Sequence, residues 1–387
     1  MNEPGTTQET VALKRLPREE SMKVNASELE ARKVVLSAPP RLVTLGTHNA
    51  CNARCVFCPP SSFPRFDLEA YKTFFEGRMG HFIRQAEKVT FTGFGEVLLH
   101  PDAEKLLDYL NETIPETWKI FTTNGTPLSP AVIERLLRSK FVMQVSLHAS
   151  RAELHEELTG LKGAFGAVVD AVRTICRLRR ERDLGERLHL VLVDVVTTRN
   201  AGELADFVRL AWDLQAPEVQ CNYVTVYEPA QIGLSCFFAP EKTNAAIEAA
   251  ERALQDIKSQ AAPEEFEHFQ VRLPPKFGQP RVDRDPKAVC ADPWEHIYVE
   301  CQGPALPCCM WGEHIGNLQK GDDIDAVFNG PVYRAIREGM ASGKPQPWCA
   351  LCANYRGYNV NSLLCHLTNR PETQKRLIDE IRARGLA

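Results

Sequence analysis

Several things are missing from this chain of 387 residues, and each absence closes off a class of function. No apolar stretch approaches the ~20 residues that a membrane-spanning helix needs, so no membrane role is expected. Residues 1–35 are rich in Glu, Lys, Arg and Thr and hold no apolar core of the kind that marks a secretory signal. A cytoplasmic protein is expected. Charge of one sign is lacking too: 46 basic and 50 acidic residues leave a net charge of −4. Without a broad basic field, nucleic acid is not a favoured partner. There is no internal repeat and no low-complexity block, so the fold must be read from its own periodicity.

What is present is ordinary in bulk, at 44% hydrophobic and 25% charged, as in globular proteins. The length suits two or three domains, or one barrel of roughly 200–250 residues with an appendage. Residues 1–40 read as a flexible extension with a helix near Ala26–Val34, ended by Pro39-Pro40. From Arg41 short apolar runs alternate with amphipathic stretches. The runs predict strands at Leu42–Leu45, Lys88–Thr92, Lys119–Thr122, Met143–Leu147, Leu188–Val196 and Val219–Val226. Between them the pattern predicts helices over Glu69–Arg84, Asp102–Leu110, Pro130–Arg138, Phe165–Arg182 and Ala201–Leu214. Such alternation means right-handed βαβ units on a parallel sheet. Six units are too few for a closed eight-stranded barrel. The expected fold is therefore α/β, a partial (βα)6 TIM-like barrel over residues 41–228, with its chemistry at the C-terminal strand ends. A bridge over 229–288, a small cysteine-rich domain over 289–355 and a helical tail over 356–387 would follow.

Thirteen cysteines are many for a reducing compartment, where disulfides do not persist. Clustering points to metal or cluster ligands instead. Cys51, Cys55 and Cys58 lie directly after the first predicted strand, spaced C-x3-C-x2-C, and a fourth cysteine nearby is lacking. A fully protein-ligated 4Fe–4S cube takes four thiolates. Three would leave one iron open to a small molecule. Two other readings stay open on spacing alone: zinc, with His48 as a fourth ligand, and a redox dithiol of Cys55 and Cys58.

The other predicted strand ends are polar. Gly93-Phe94-Gly95-Glu96 follows the second, Thr122-Thr123-Asn124-Gly125 the third, Ser146-Leu147-His148 closes the fourth, and Thr197-Thr198-Arg199-Asn200 the fifth. Each alone is an ordinary turn; together they form a ring where a barrel active site belongs. With these segments the chain resembles the radical S-adenosylmethionine (SAM) superfamily over roughly residues 41–226. That family's hallmark is the three-cysteine loop with an aromatic, here Phe57, before the last cysteine. Its Gly-Gly-Glu-Pro segment matches Gly93–Val97, with Phe94 and Val97 as departures. The resemblance implies that Gly93, Gly95 and Glu96 hold the SAM amino group, that Ser146 and Asn200 contact its ribose or carboxylate, and that Thr122 and Asn124 line the same pocket. It also implies the chemistry: SAM chelates the open iron, an electron cleaves its sulfonium, and a 5′-deoxyadenosyl radical takes a hydrogen from substrate. Cys51, Cys55 and Cys58 are then the catalytic ligands, and an electron donor such as flavodoxin or ferredoxin is an expected partner.

Seven cysteines fall between Cys290 and Cys365. Cys290, Gly303 and Cys308 make C-x12-G-x4-C, and Cys349 and Cys352 make C-x2-C. In isolation this reads equally as a zinc ribbon. Behind such a barrel it resembles a SPASM or twitch domain, with Ile315-Gly316-Asn317-Leu318 on the same template. That resemblance implies one auxiliary 4Fe–4S cluster on Cys290, Cys308, Cys349 and Cys352, with Cys301 and Cys309 as substitutes and Cys365 left over. Of the rest, Cys176 reads as a buried apolar residue. Cys221 reads as core, or as pocket-facing with Tyr223 and Tyr227, and Cys236 as a more exposed loop thiol.

The expected function is hydrogen abstraction leading to oxidation of a small polar natural-product intermediate, with the auxiliary cluster as electron acceptor. The alternative is maturation of a ribosomally made peptide by crosslinking, epimerisation or oxidation. The small substrate leads because only about 40 residues precede the first strand, too few for a leader-binding module. A non-catalytic iron–sulfur or zinc scaffold would leave the polar ring unexplained.

Overall fold

The computed structural model describes residues 13–46, 50–59, 68–93, 95–278, 289–300, 303–352, 363–364 and 371–384. His48, Phe94, Cys301 and Cys365 lie outside them. In chain order the elements begin α1 (Arg18–Glu30), β1 (Leu42–Gly46), α2 (Leu68–Gly77), α3 (Gly80–Gln85), β2 (Lys88–Thr92), α4 (Ala103–Thr113), β3 (Trp118–Thr123), α5 (Pro130–Leu136) and β4 (Phe141–Ser146). There follow α6 (Ala152–Thr159), α7 (Ala164–Glu181), β5 (Leu188–Val196), α8 (Leu204–Asp213), β6 (Glu218–Tyr223), α9 (Pro240–Gln260), α10 (Pro263–Glu267) and β7 (Gln270–Arg272). The last are α11 (Asp292–Glu295), β8 (His296–Val299), β9 (Pro304–Leu306), β10 (Gly316–Asn317), α12 (Ile324–Phe328), α13 (Pro331–Ala341), α14 (Pro347–Leu351) and α15 (Pro371–Ala383). No described helix is long and apolar enough to cross a membrane.

The chain divides into two units. One comprises residues 47–66, 90–288 and 351–387. Its sheet runs β2-β3-β4-β5-β6-β7, with parallel pairing from β3 to β7. Side chains alternate in burial along β2, β3 and β4, as a period of two requires. Phe91, Phe121 and Phe141 are wholly buried on one face, and their rings pack at 4.8 and 5.8 Å. Lys119 shares that face yet is fully buried. Its ammonium donates to the carbonyls of Ile114 (2.9 Å) and Thr117 (3.0 Å), just past the end of α4, and sits 4.7 Å from the Phe141 ring centroid. A cation there complements the negative end of the α4 dipole, which is how a strand core tolerates a lysine. The opposite face is half-exposed and carries Thr122, Gln144, Ser146, Gln220 and Asn222.

Alternation also sorts the cysteines. Cys221 pairs in register with Asp194 on the buried face, so it is core; Tyr223 donates its hydroxyl to Pro275 O at 2.6 Å. Cys176 is buried on α7, as expected. Cys236 is not an exposed loop thiol. It is wholly buried, with Sγ 3.8 Å from Val196 O, because the loop after β6 folds back under α9.

The second unit comprises residues 1–46, 67–89 and 289–350. β8 joins β1 in parallel register, Leu42 opposite His296 and Leu45 opposite Val299. β9 and β10 extend that edge antiparallel. The cysteine-rich segment therefore shares a unit with β1 and with the N-terminal residues. Where a flexible extension was expected, α1 is folded, and it starts at Arg18 rather than near Ala26. Its inward residues are Ser21, Asn25 and Glu28; an apolar stripe is missing, which hid the helix from a reading by hydrophobic period. Asn25 donates to Trp294 O at 2.8 Å, and Glu28 accepts from Ser37 N at 2.9 Å. The single helix expected over Glu69–Arg84 is two, α2 and α3, parted after Gly77. Short β7–β10 and α6 gave no readable pattern.

Arg337 holds this unit together. It is fully buried, and among the described residues no carboxylate is hydrogen-bonded to it. Its guanidinium donates to Pro293 O (2.8 Å), Val34 O (3.0 Å), Phe328 O (3.0 Å) and Asn329 Oδ1 (3.2 Å), and stacks at 4.7 and 4.9 Å from Phe328 and Tyr333. Burial pushes its pKa down to about 10. Arg337→Met keeps much of the volume but orphans these acceptors, each costing about 1–3 kcal/mol. A loss of about 3–5 kcal/mol is expected, read as an earlier unfolding transition in denaturant.

Candidate functional site

The cysteine loop is built by hydrogen bonds from three directions. Within it, Cys58 N donates to Cys55 O at 3.1 Å, and Cys51 Sγ accepts from Ala53 N at 3.4 Å. From the turn after β2, Glu96 N donates to Ala50 O at 3.0 Å. From the turn after β3, Asn124 Nδ2 donates to Asn52 Oδ1 at 2.7 Å and lies 3.8 Å from Cys51 Sγ, while Asn52 Nδ2 donates to Thr126 Oγ1 at 3.0 Å. That turn needs Gly125: φ is +77°, and a Cβ would stand 2.9 Å from Val168 Cγ2. From α6, the carbonyls of Thr159 and Leu158 accept from Arg54 N (2.8 Å) and Val56 N (2.9 Å). Val56 and Phe57 pack on Ala149, Leu154 and Leu158, and Phe57 meets His148 edge-on at 4.8 Å.

All three thiols are half-buried. Burial first, then their mutual repulsion, raises Cys55 to about 12 and Cys58 above its ordinary value; burial also raises Cys51, with Glu96 adding to it. Positive charge beside these thiols would favour their ionised forms, and a cationic iron centre would supply it. The residues present therefore fit a three-cysteine cluster site. Among the described residues no group of three metal-ligating side chains converges on a single metal ion.

Glu96 is 2% exposed. Its Oε2 accepts from Asn124 N at 2.6 Å and its Oε1 from Leu98 N at 3.1 Å. Burial pushes its pKa up to about 7 against these bonds. Asn200 is equally committed: Oδ1 accepts from Thr197 N (2.7 Å), and Nδ2 donates to His148 O (2.8 Å) and Asp194 Oδ1 (2.9 Å). Thr122 donates to Gln144 at 2.9 Å across the β3–β4 register, and Ser146 lies two residues along the same half-exposed face. Gly93 is exposed and Gly95 half-buried. The structure thus brings Cys51, Glu96 and Asn124 into one network, leaves Thr122 and Ser146 on the open face, and sets Asn200 in the wall behind it. Sequence reasoning passed over Asn52 and the α6 end. Neither residue type nor spacing marks an asparagine or a helix terminus as a loop anchor.

In the other unit, Cys308 is raised well above the ordinary thiol value by burial and then by Cys309, Asp292 and Cys290. Cys290 and Cys308 are thus electrostatic neighbours. Cys309 is exposed and Cys349 lies in α14; Cys352, which falls in the stretch 351–387 of the first unit, is buried. Gly303 has φ +90°, and a Cβ there would stand 2.6 Å from Gln319 N, so only glycine fits.

Three half-buried thiols on one loop, beside polar strand ends of a parallel sheet, make a donor set that an iron–sulfur centre of an α/β protein would fit. Comparison with known proteins names the family. Residues 46–211 match the radical SAM superfamily model, and residues 290–353 match SPASM, an iron–sulfur cluster-binding domain. The chain belongs to the radical SAM superfamily and carries a SPASM domain. Its cofactors are accordingly a 4Fe–4S cluster, SAM and auxiliary iron–sulfur. It is 21% identical over 310 residues to the antilisterial bacteriocin subtilosin biosynthesis protein AlbA of Bacillus subtilis, covering 78% of this chain and 62% of AlbA. It is 31% identical over 163 residues to the mycofactocin maturase MftC of Mycobacterium tuberculosis, covering 42% of this chain and 39% of MftC. The chain thus spans less than two thirds of these curated relatives. Among solved structures, Streptococcus suis SuiB bound to S-adenosylmethionine has a TM-score of 0.60 at 15% identity, covering 87% of this chain and 76% of SuiB. Native anSMEcpe with bound AdoMet and Cp18Cys peptide has a TM-score of 0.58 at 16% identity, covering 89% and 98%. These two share the fold.

Gly303→Ala forces a backbone clash in the β8–β9 hairpin. Reconstituted protein is expected to drop from about eight irons per chain towards about four, with the SAM-binding cluster retained. Iron and sulfide analysis reads this directly.

Proposed function

We propose that the protein matures a ribosomally made peptide by abstracting a hydrogen from it. The observation that carries this is the extent of the AlbA match, which runs over 310 residues of a protein named for bacteriocin biosynthesis. Further support comes from the match to a maturase and from fold neighbours solved with a precursor peptide and with Cp18Cys peptide. The small-substrate reading loses its lead, since it rested on the length of chain before β1 alone.

Cys51, Cys55 and Cys58 would hold three irons of the first cluster. When bound and reduced, that cluster supplies the electron that cleaves SAM and so a 5′-deoxyadenosyl radical able to take a substrate hydrogen. The chain's own residues hold and orient. Asn52, Asn124 and Thr126 fix the loop against β3. Glu96 ties the turns after β2 and β3 and, with Gly93 and Gly95, presents backbone and carboxylate to the SAM ammonium. Thr122 and Ser146, on the half-exposed face, offer hydroxyls to the ribose or carboxylate. Asn200 acts from behind, holding His148, whose ring backs Phe57. Cys290, Cys308, Cys349 and Cys352 would hold one auxiliary cluster, which makes net oxidation of the peptide the favoured outcome. Flavodoxin or ferredoxin would supply the electron.

The test is anaerobic reconstitution of wild type and a Cys51/Cys55/Cys58→Ala triple variant, each given SAM, reductant and a precursor peptide encoded beside the gene. Wild type is expected to hold about eight irons and to form 5′-deoxyadenosine with a mass change in the peptide. The variant should hold about four and form neither. Stoichiometric zinc, or SAM cleavage in wild type with the peptide left unchanged in mass and stereochemistry, would overturn the reading.

A further inference from the structure

The end of α6 touches the cysteine loop more closely than any catalytic role requires. Thr159 O and Leu158 O take the N–H groups of Arg54 and Val56 at 2.8 and 2.9 Å. The loop thus hangs on two consecutive carbonyls at a helix C-terminus, where such groups lack intrahelical partners. The helix stops there because Gly160 adopts φ +68° and returns its own N–H to Glu156 O at 2.8 Å. A Cβ on Gly160 would stand 3.3 Å from Arg54 Cβ and 3.4 Å from Arg54 O. Arg54 is the residue immediately before Cys55. Its guanidinium in turn donates to Cys51 O at 2.9 Å and to Ala53 O at 2.8 Å. Two ligand positions therefore sit one residue, or one hydrogen bond, from the Gly160 contact.

We propose that the C-terminal end of α6 is a clamp for the cysteine loop, and that Gly160 is its positioning residue. Its missing side chain lets Arg54 seat, and this seat sets the spacing of Cys51 and Cys55. The inference rests on the preceding section only in taking Cys51, Cys55 and Cys58 as ligands of the SAM-binding cluster; the identity of the substrate plays no part.

Gly163 supplies an internal control. It also adopts a left-handed φ, +74°, three residues on, but a Cβ there meets nothing within 4 Å. Gly160→Ala and Gly163→Ala therefore carry the same backbone strain, and only the first pushes on Arg54. Gly160→Asn relieves that strain, because asparagine tolerates the left-handed region, yet keeps the Cβ contact.

All three variants and wild type, reconstituted as full chains, are reduced and titrated with SAM while the electron paramagnetic resonance spectrum is recorded. Only the cluster with an iron open to SAM changes its spectrum on addition. Both Gly160 variants are expected to need about tenfold more SAM for half the spectral change, or to show a broadened signal, since displacements of a few tenths of an ångström at a ligand are costly. Gly163→Ala should titrate like wild type although the shared backbone strain lowers its thermal unfolding too. If Gly160→Ala accumulates poorly, Gly160→Asn decides. Wild-type titration by Gly160→Asn, or an equal defect in Gly163→Ala, overturns the clamp. A wild-type protein whose spectrum ignores SAM overturns the ligand assignment instead, so the two failures are distinguishable.

Discussion

The arrangement of the loops around Cys51 depends on one buried carboxylate. Glu96 receives backbone N–H groups from Leu98 and Asn124 and gives its own N–H to Ala50. Three loops, those before Cys51, after β2 and after β3, meet at this residue. A carboxylate at 2% exposure is costly to keep charged, as the rise of its pKa by burial records. Two bonds from backbone donors, at 2.6 and 3.1 Å, offset part of that cost. The same carboxylate stands close enough to Cys51 to oppose ionisation of its thiol. Positive charge brought to this site would favour the ionised forms of both the carboxylate and the thiol.

How much of this was legible beforehand follows from the kind of signal each feature emits. Strands β2 and β5 were readable to the residue, and β3 and β4 to within two, because each is a run of apolar and β-branched side chains bounded by turn formers, whereas the more polar β6 ends three residues before the expected Val226. The three cysteines were readable because their spacing is local. Asn124 was readable as a neighbour of the site, and the structure gives it a contact with Cys51 that strand order alone could not supply. The opposite holds for α1, whose buried face is Ser21, Asn25 and Glu28. A helix that packs through polar side chains emits no hydrophobic period. The α6 clamp was invisible for a related reason: its contacts are backbone atoms, and main-chain carbonyls look alike in every sequence. Cys236 misled because loop composition was taken to mean exposure, whereas the fold closes over it.

Burial explains why so many polar residues near the site are spoken for. Asn200, His148 and His155 form a hydrogen-bonded column behind Phe57: His148 N donates to His155 Nδ1 at 3.1 Å, and His148 Nδ1 accepts from Val195 N at 3.2 Å. His155 is pushed down to about 3, by burial first and His148 second, so it stays neutral and serves as an acceptor. A satisfied network of this kind rigidifies the wall it belongs to. The polar groups with fewer commitments lie on the half-exposed side of β3, β4 and β6.

The pairing of β8 with β1 reaches beyond catalysis. The strand that leads into the cysteine loop takes its parallel neighbour from the cysteine-rich segment some 250 residues later, with Leu42 to Leu45 matched to His296 to Val299. The N-terminal helix is stitched into the same unit through Asn25 and Trp294. A cut between barrel and SPASM segment drawn on sequence alone would leave β1 with a bare edge and α1 without its seat. Chimeras that exchange the cysteine-rich segment between relatives should therefore carry residues 1–46 and 67–89 along with it. The unit here is discontinuous in sequence and continuous in hydrogen bonds.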